Sequence, residues 1–569
     1  MVRAILLHAL SGQKHALRPP GGEETAHIPG GVSSPAWGTG EDGKGREIMG
    51  KYLLKRILHG IFSIVVVVAI VMVLIYSMLQ RELIFSSDAL YTRQQSNAKQ
   101  TYMYNKWEEY GYLDYVPYSE WLQELSRNGE LDEETRAEAT VLGRTPEADS
   151  AVTAEYTAKF REYYESRGYE VKRLDAVVKG RKVITGGQQT MFATKDLPLS
   201  HRLVEYFTGL LDFDNIHRVA EVEGERGLTF TLYDPLAGGK FSPAIIGNGT
   251  LHKYLLYVDG NFPFIHQNMV TIKLGTSYTV NSGVDVFHTM TRSQGSYVKT
   301  NMTFPTGLTE DSADDLHTAT YMQGSREIST LNMERFTDDY TVVDTVRNGM
   351  SKMGYSFVIG ILSSIMAYAL GLPIGIQMAR RKDGLVDKVG TFYIMFIIAV
   401  PSLAYIFMFK AMGARIGLPT VFDMESSDKL IFILPIVSLA LPSIANLMKW
   451  MRRYMIDQMN SDYVKFARAS GLSEGEIFSK HIWKNAAIPI IHGIPGSILG
   501  ALVGAIITER VYVVPGAGNL LTEAINKYDN GVIVGVTLFY AVLTVVSIIL
   551  GDILMSVVDP RISFSTKDR

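Results

Sequence analysis

No cysteine occurs among the 569 residues. Disulfides, thiolate metal sites and cysteine nucleophiles are thereby excluded, and an outward-facing domain has to fold by packing alone. A strong charge excess is also missing. The formal net charge is −3, so nothing points to a nucleic-acid partner. Familiar catalytic signatures are absent: no G-x-x-x-x-G-K-[ST] phosphate loop, no H-E-x-x-H zinc helix and no G-x-S-x-G nucleophile elbow. Scattered histidines such as His481 and His492 have no partners at ligand spacing and read as packed or solvated side chains. The chain is therefore read as a non-enzyme that carries no cofactor or metal of its own.

What the sequence does contain is apolar and unevenly placed. A helix needs about 20 apolar residues to cross the hydrocarbon core. Candidate spans fall at 57–79, 353–379, 389–412, 429–450, 488–508 and 531–556, which makes six. The first is longer than a signal-peptide core, and no small-residue cleavage site follows it, so it reads as a retained helix. Lys51, Lys55 and Arg56 precede it; Arg380, Arg381, Lys382 and Lys388 follow the second span. Lys449, Arg452 and Arg453 follow the fourth, and Arg561, Lys567 and Arg569 close the chain. With six spans all these cations fall on one side, which assigns that side and both termini to the cytoplasm. Asp552, near the inner end of the last span, is expected to be solvated or paired. The lack of carboxylates near mid-membrane argues against an ion-coupled secondary transporter.

This topology places residues 81–345 outside the cell, enough chain for a folded domain. Its first half reads as helical, in "YSEWLQELSRNGELDEETRAEA" and "AEYTAKFREYYESRGYEVKRL"; its second half reads as strands and turns, in "GLTFTLYDP", "KYLLYVDGNFPF" and "MVTIKLGTSYTV". The sequons at Asn248 and Asn301 are read as chance matches. Residues 1–48 are rich in Gly and Pro and lack apolar periodicity, which predicts disorder. "MGKYLLKRILHG" resembles a natural beginning for a membrane protein, so Met49 is expected to be the native start. Residues 49–80 then form a cytoplasmic flank and first span, and 346–569 the remaining membrane core.

The cytoplasmic segment between the fourth and fifth spans, 461–487, carries the most specific pattern: "DYVKFARASGLSEGEIFSKHIWKNAAIPI". Two helices are expected, with Gly471 supplying a permissive backbone between them. Ser473 and Glu476 have the S-x-x-E spacing of a capping box. Beyond it, Ile477, Phe478 and Ile482 share one face of a short amphipathic helix, while Lys480 and Lys484 lie elsewhere. Such a helix either rests on lipid or inserts into a partner's groove.

This segment resembles the cytoplasmic "EAA" loop of ABC importer permeases, in the form "YV-x-x-ARA-x-GLSE…H-x-x-(R/K)NA-x-x-P" found in dipeptide and oligopeptide permeases. Tyr463, Val464, Ala467, Arg468, Ala469, Gly471, Leu472, Ser473, Glu474, His481, Asn485, Ala486 and Pro489 match it. "ERVYVVPGAGNLLTEAI", which contains Glu509, Pro515, Gly516 and Gly518, resembles the family's block between the last two spans. "GDILMSVVDPRISF" resembles its closing motif, and "EYGYLDYVPYSEWL" and "LGTSY" resemble pieces of its external loop. The likeness covers 49–125 loosely and about 270–569 well. Insertions at approximately 126–265 and 295–340 are similar to the enlarged loops of some Gram-positive peptide permeases.

The resemblance implies a polytopic α-helical membrane protein with six transmembrane helices in the ABC importer type I permease fold, interrupted by an inserted α+β extracellular domain. It further implies the B-type permease subunit of a peptide importer, paired in the plasma membrane with a C-type permease. Two ATPase subunits that hold ATP and Mg, and an extracellular peptide-binding lipoprotein, are the other partners. The ATPases would grip Ala467, Ala469, Gly471, Leu472, Ser473, Glu476, Ile477, Phe478 and His481, and the region of Glu509, Pro515, Gly516 and Gly518 would belong to the external gate. Glycines at every fourth position, Gly496, Gly500 and Gly504 in the fifth span and Gly371 and Gly375 in the second, are expected to pack helices closely. Permeases for nickel or other small solutes resemble peptide permeases. A membrane-anchored receptor or scaffold presenting the external domain is the rival of another class, and it leaves the 461–489 pattern without a role.

Overall fold

The computed structural model describes residues 42–78, 80–260, 264–323, 328–426 and 428–558. It consists of a polytopic helical membrane region and a large β-rich domain inserted after the first membrane helix. Among the described residues, five helices are long and apolar enough to cross a membrane: Tyr52–Met78, Lys352–Arg380, Lys429–Met459, Ile494–Tyr512 and Asn530–Val558. Most of residues 1–48 lies outside the described set. The first helix is continuous from Asp42 to Met78, so the end of that Gly-rich stretch is helical.

The expected third span, 389–412, is not one helix. Leu385–Ala399 and Ser402–Arg415 meet at an angle of 112°. The cause is local. Pro401 has no N–H to donate, and the residue before a proline is driven out of the helical region; Val400 is accordingly extended, with φ −89° and ψ 129°. The first piece has 15 residues, about 22 Å of helix, against a hydrocarbon core of about 30 Å. Only as a pair do the two pass as a span.

In the first membrane helix a β-branched run, "IVVVVAIVMV", is helical because in lipid a single segment must satisfy its own backbone groups. Val68, Met72 and Ile75 form its buried stripe against Val532, Val536 and Leu538 of the last helix, whereas Ile61, Phe62, Ile70 and Leu74 are exposed. Asp552 is paired, as expected for a carboxylate at this depth: Arg56 Nε donates to it at 2.8 Å, joining the first and last helices.

The small-residue stripes have opposite outcomes. A Cβ on Gly371 would lie 2.9 Å from Leu447 Cβ and 3.1 Å from the Ile444 carbonyl, and one on Gly375 would lie 2.9 Å from Met451 Cβ. Both glycines therefore let helix Lys352–Arg380 approach helix Ile433–Met459 closely. Gly496 and Gly500 have nothing within 4 Å of such a Cβ, so the expected packing role fails for them within this chain. Gly504 belongs to 502–504, whose side chains lie outside the described set. Gly371→Leu is expected to destabilise by about 1–3 kcal/mol through overpacking, whereas Gly496→Ala should be neutral or slightly stabilising through helix propensity. Thermal unfolding of the purified chain in detergent distinguishes them; equal losses would refute the assignment.

The inserted domain divides as its sequence suggests, with one shift. "YSEWLQELSRNGELDEETRAEA" forms helices Tyr118–Arg127 and Glu133–Thr140, and helix Ala151–Glu165 follows. "EVKRL", read as helical, is instead the strand Glu170–Leu174, an edge of a three-stranded antiparallel sheet. Its centre is Thr190–Asp196 and its other edge Leu113–Pro117. Tyr118, Trp121, Leu122 and Phe160 pack against this sheet. The second half centres on a four-stranded antiparallel sheet, ordered Ile265–Gln267, Tyr254–Val258, Phe241–Asn248, Gly227–Tyr233. Aromatic burial and ion pairs such as Arg173–Asp149, nearly fully buried, stand where a secreted domain often uses disulfides.

Candidate functional site: the 461–487 segment and the Asp529 clamp

The 461–487 segment begins where helix Ile433–Met459 ends. Helix Asp462–Ala469 follows, then a turn at Gly471 whose φ is +83°. No atom lies within 4 Å of where a Gly471 Cβ would be, so the glycine is required by its left-handed backbone and not by packing. The capping box forms: Ser473 N–H donates to Glu476 Oε2 at 3.2 Å and Glu476 N–H to Ser473 Oγ at 3.4 Å. Helix Glu474–Ile477 then passes through a π turn, Phe478–Ile482, into helix Trp483–His492. Arg468 Nε donates to Glu474 Oε1 at 2.6 Å and closes the turn from the other side. That guanidinium holds the Glu474 carboxyl below the usual carboxylate range, and the Ser473 hydrogen bonds do the same for Glu476.

The apolar face read from the sequence exists, but its partner is this chain. Ile477 and Ile482 are buried with Val464 and Ala467 against Ala379, Met451 and Met455 of the membrane helices. Phe478 is half-buried beneath the Arg380 guanidinium, 4.8 Å from the ring centre. The expectation that Ile477 and Phe478 fill a partner's groove is therefore corrected. The exposed surface is the opposite one: Phe466, 74% exposed, with Ala469, Leu472, Ser473 and Gly475. The apolar spacing of Ile477, Phe478 and Ile482 marks a covered face and does not tell a groove on another chain from one on its own.

His481, read as isolated, has company. With Gln458, Tyr463, Asn485, Ile488 and Pro489 it lines an open cavity of about 560 Å³. Tyr463 Oη donates to Gln458 Oε1 at 2.8 Å on its wall. Four residues of the quoted pattern thus converge on one space, which their separate helices do not reveal.

At the other end of the membrane helices, the Glu509 block closes on itself. Glu509 is fully buried; its carboxyl accepts from Ser356 Oγ at 2.5 Å and from Asn519 N–H at 3.0 Å. Ser356 Oγ in turn accepts from Ala517 N–H at 2.8 Å, so the start of helix Ala517–Asn526 is held by the second and fifth spans together. A Cβ on Gly516 would sit 2.5 Å from both Glu509 carboxyl oxygens, and one on Gly518 2.9 Å from Ile506 Cα. The P-G-x-G spacing is thereby explained by one carboxyl group. Pro515 O accepts from Gln294 Nε2 at 3.1 Å, tying this turn to the inserted domain.

Asp529 was not singled out by its sequence, yet it is the most heavily bonded carboxylate in the chain's described residues. It is fully buried and accepts from Ser277 Oγ at 2.7 Å, from the N–H groups of Tyr278, Thr279 and Val280 at 2.8–2.9 Å, and from Val532 N–H at 3.1 Å. The "LGTSY" segment of the inserted domain is thus clamped onto the start of helix Asn530–Val558. A Cβ on Gly531 would fall on the Thr276 carbonyl oxygen. The only advance signal was that "LGTSY" resembles a piece of the family's external loop.

Among known proteins, a family model described as binding-protein-dependent transport system inner membrane component matches residues 371–564. The chain is similar to the oligopeptide transport system permease protein AmiC of Streptococcus pneumoniae (strain ATCC BAA-334 / TIGR4), 32% identical over 529 residues, which covers 91% of this chain and 99% of that one. That coverage takes in most of the inserted domain. The dipeptide transport system permease protein DppB of Lactococcus lactis subsp. cremoris is 31% identical over 224 residues, 39% of this chain and 73% of its own. Among solved structures, the inward-facing MetNI methionine ABC transporter aligns at 13% identity with a TM-score of 0.31, over 37% of this chain and 94% of that chain.

Proposed function

The chain belongs to the dipeptide and oligopeptide family of binding-protein-dependent ABC permeases and is a membrane permease subunit of a peptide-transporting importer, and we propose that it forms the B-type half of a heterodimeric channel with a C-type permease. In this reading the six spans, the bent pair counted as one, follow the type I permease arrangement. Both termini and the 461–487 segment face the cytoplasm, and the inserted domain faces outward. ATP and Mg are bound by two separate ATPase subunits, this chain performs no catalysis, and an external lipoprotein delivers the peptide.

The observation that carries the proposal is the two-sided build of the coupling segment. Its inner face, Val464, Ala467, Ile477 and Ile482, is packed on helices Lys352–Arg380 and Ile433–Met459. Its outer ridge, Phe466, Ala469, Leu472 and Gly475, is open to a partner. The capping box and the Arg468–Glu474 pair stiffen the turn between them. A displacement of the ridge by ATPases closing around ATP is passed to the spans as a body, because close-packed side chains cannot absorb it. Ser356 of helix Lys352–Arg380 is bonded to Glu509, whose turn is tied through Pro515 to the inserted domain, so the outward opening moves with that helix.

Phe466→Glu tests the ridge. The side chain is exposed in this subunit, so insertion and pairing with the C-type permease should persist. In the partner's groove an unpaired carboxylate costs roughly 3 kcal/mol, about a hundredfold in ATPase affinity. ATPase co-purification and peptide uptake should fall together, whereas Ile477→Asp should destroy the fold of this chain itself. Full ATPase retention and uptake in Phe466→Glu would reject the ridge as the coupling surface.

A further inference from the structure

An open cavity of about 300 Å³ lies between the end of the first membrane helix and the inserted domain. Its walls include Tyr76, Tyr110, Tyr206 and Arg202, with Glu108 and Glu205 also on the lining. Arg202 is the unusual group. Its guanidinium sits 3.7 Å over the Tyr76 ring and 4.1 Å over the Tyr112 ring. No carboxylate among the described residues lies within ion-pair distance of it, although Lys106 and Lys273 nearby are paired with Glu109 and Asp212. The two ring centres are 5.5 Å apart with their planes at 85°, so the rings border the guanidinium on two adjacent sides and cannot occupy all five of its N–H donors. The half-buried cation, lining a cavity, thus keeps donors for a carboxylate, and none among the described residues pairs with it.

The remaining lining narrows the ligand. Glu108 and Glu109, on the same lining, would repel a phosphate or an anionic headgroup, but they suit the ammonium of a molecule that also bears a carboxylate. Tyrosine walls add apolar faces with polar tips. The volume is at the lower end for small-molecule sites, enough for a very short peptide with both its charged ends. Peptides, the solutes of the importer to which this chain belongs, have this combination of charges and supply a free carboxylate at one end.

We propose that this cavity is a peptide-docking site in which Arg202 binds the free C-terminal carboxylate of an incoming peptide. The inference rests on the outward placement of the inserted domain. It gives that domain a part in handling substrate, beyond receiving the external lipoprotein.

The test uses the absence of cysteine. Glu205→Cys, at a position whose side chain is 65% exposed, places one thiol at the cavity in the full importer of energy-depleted cells. An impermeant maleimide should label this chain from outside; labelling only in inside-out vesicles would overturn the outward placement itself. Trialanine should slow the labelling, while trialanine amide, which lacks the carboxylate, should need roughly tenfold more for equal protection, the worth of one charge-assisted hydrogen bond. Arg202→Gln should abolish the difference between the two peptides, and Arg202→Lys, which keeps the charge and the apolar stem, should retain part of it. Equal protection by both peptides, no protection by either, or a preference unchanged in Arg202→Gln would overturn the proposal and leave the outward placement standing. Protection that follows phosphatidylglycerol content in lipid discs without peptide would assign the cavity to a lipid headgroup and overturn it as well.

Discussion

Asp529→Asn is expected to be among the most damaging single changes outside the membrane, although it alters one atom. Both carboxylate oxygens are used: one accepts from Tyr278 and Val532 N–H, the other from Ser277 Oγ and from Thr279 and Val280 N–H. An amide must turn its NH2 toward one set or the other, and either orientation sets donors against donors. The cheaper orientation still leaves two buried N–H groups unsatisfied, at about 1–3 kcal/mol each. A loss of roughly 3–5 kcal/mol is anticipated, comparable to breaking a buried charged pair. Because Asp529 holds the 277–280 segment, the damage should concentrate where the inserted domain meets the last helix. Limited proteolysis should cut near residues 273–285 in Asp529→Asn and not in the unmodified chain, and the thermal midpoint should fall. An unchanged digestion pattern and midpoint would mean that the clamp is not what seats this domain.

What the sequence disclosed depended on whether the governing interaction was local. The capping box at Ser473 and Glu476 was legible because cap and N3 residue are three positions apart and their chemistry is self-contained. The long spans were legible because lipid demands a continuous apolar length. The bend at Pro401 was present in the letters but was outweighed by the hydropathy of 389–412, which does not register a missing N–H. Distance in the chain hid the rest. Asp529 meets its donors some 250 positions away, so no spacing announces it. Gly371 and Gly496 look alike in their own helices, and only the helix opposite shows that one is crowded and the other open. Ile477 was recognised as apolar-facing, yet amphipathicity states that a face is covered and not by what.

Gly516→Ala should be strongly damaging although it adds only a single methyl group. The added Cβ would lie 2.5 Å from both Glu509 carboxyl oxygens, about 1 Å inside ordinary contact, and that carboxyl is already held by Ser356 Oγ and Asn519 N–H. Relief requires surrendering those hydrogen bonds in a fully buried place or displacing the start of helix Ala517–Asn526. Either route costs about 3 kcal/mol, the sum of overpacking and one lost buried hydrogen bond. Glu509→Ala alone should also destabilise, since it strands Ser356 and Asn519. The two changes together separate the causes. If the carboxyl is the obstacle, the double variant should be no less stable than Glu509→Ala, because the clash has nothing left to strike. The coupling would then be of the order of 2–3 kcal/mol, well above the roughly 0.5 kcal/mol within which independent sites add. Thermal midpoints of the three variants in detergent, with peptide uptake beside them, measure it. Additive losses would show that Gly516 is required for some reason other than Glu509, and the P-G-x-G spacing would need another explanation.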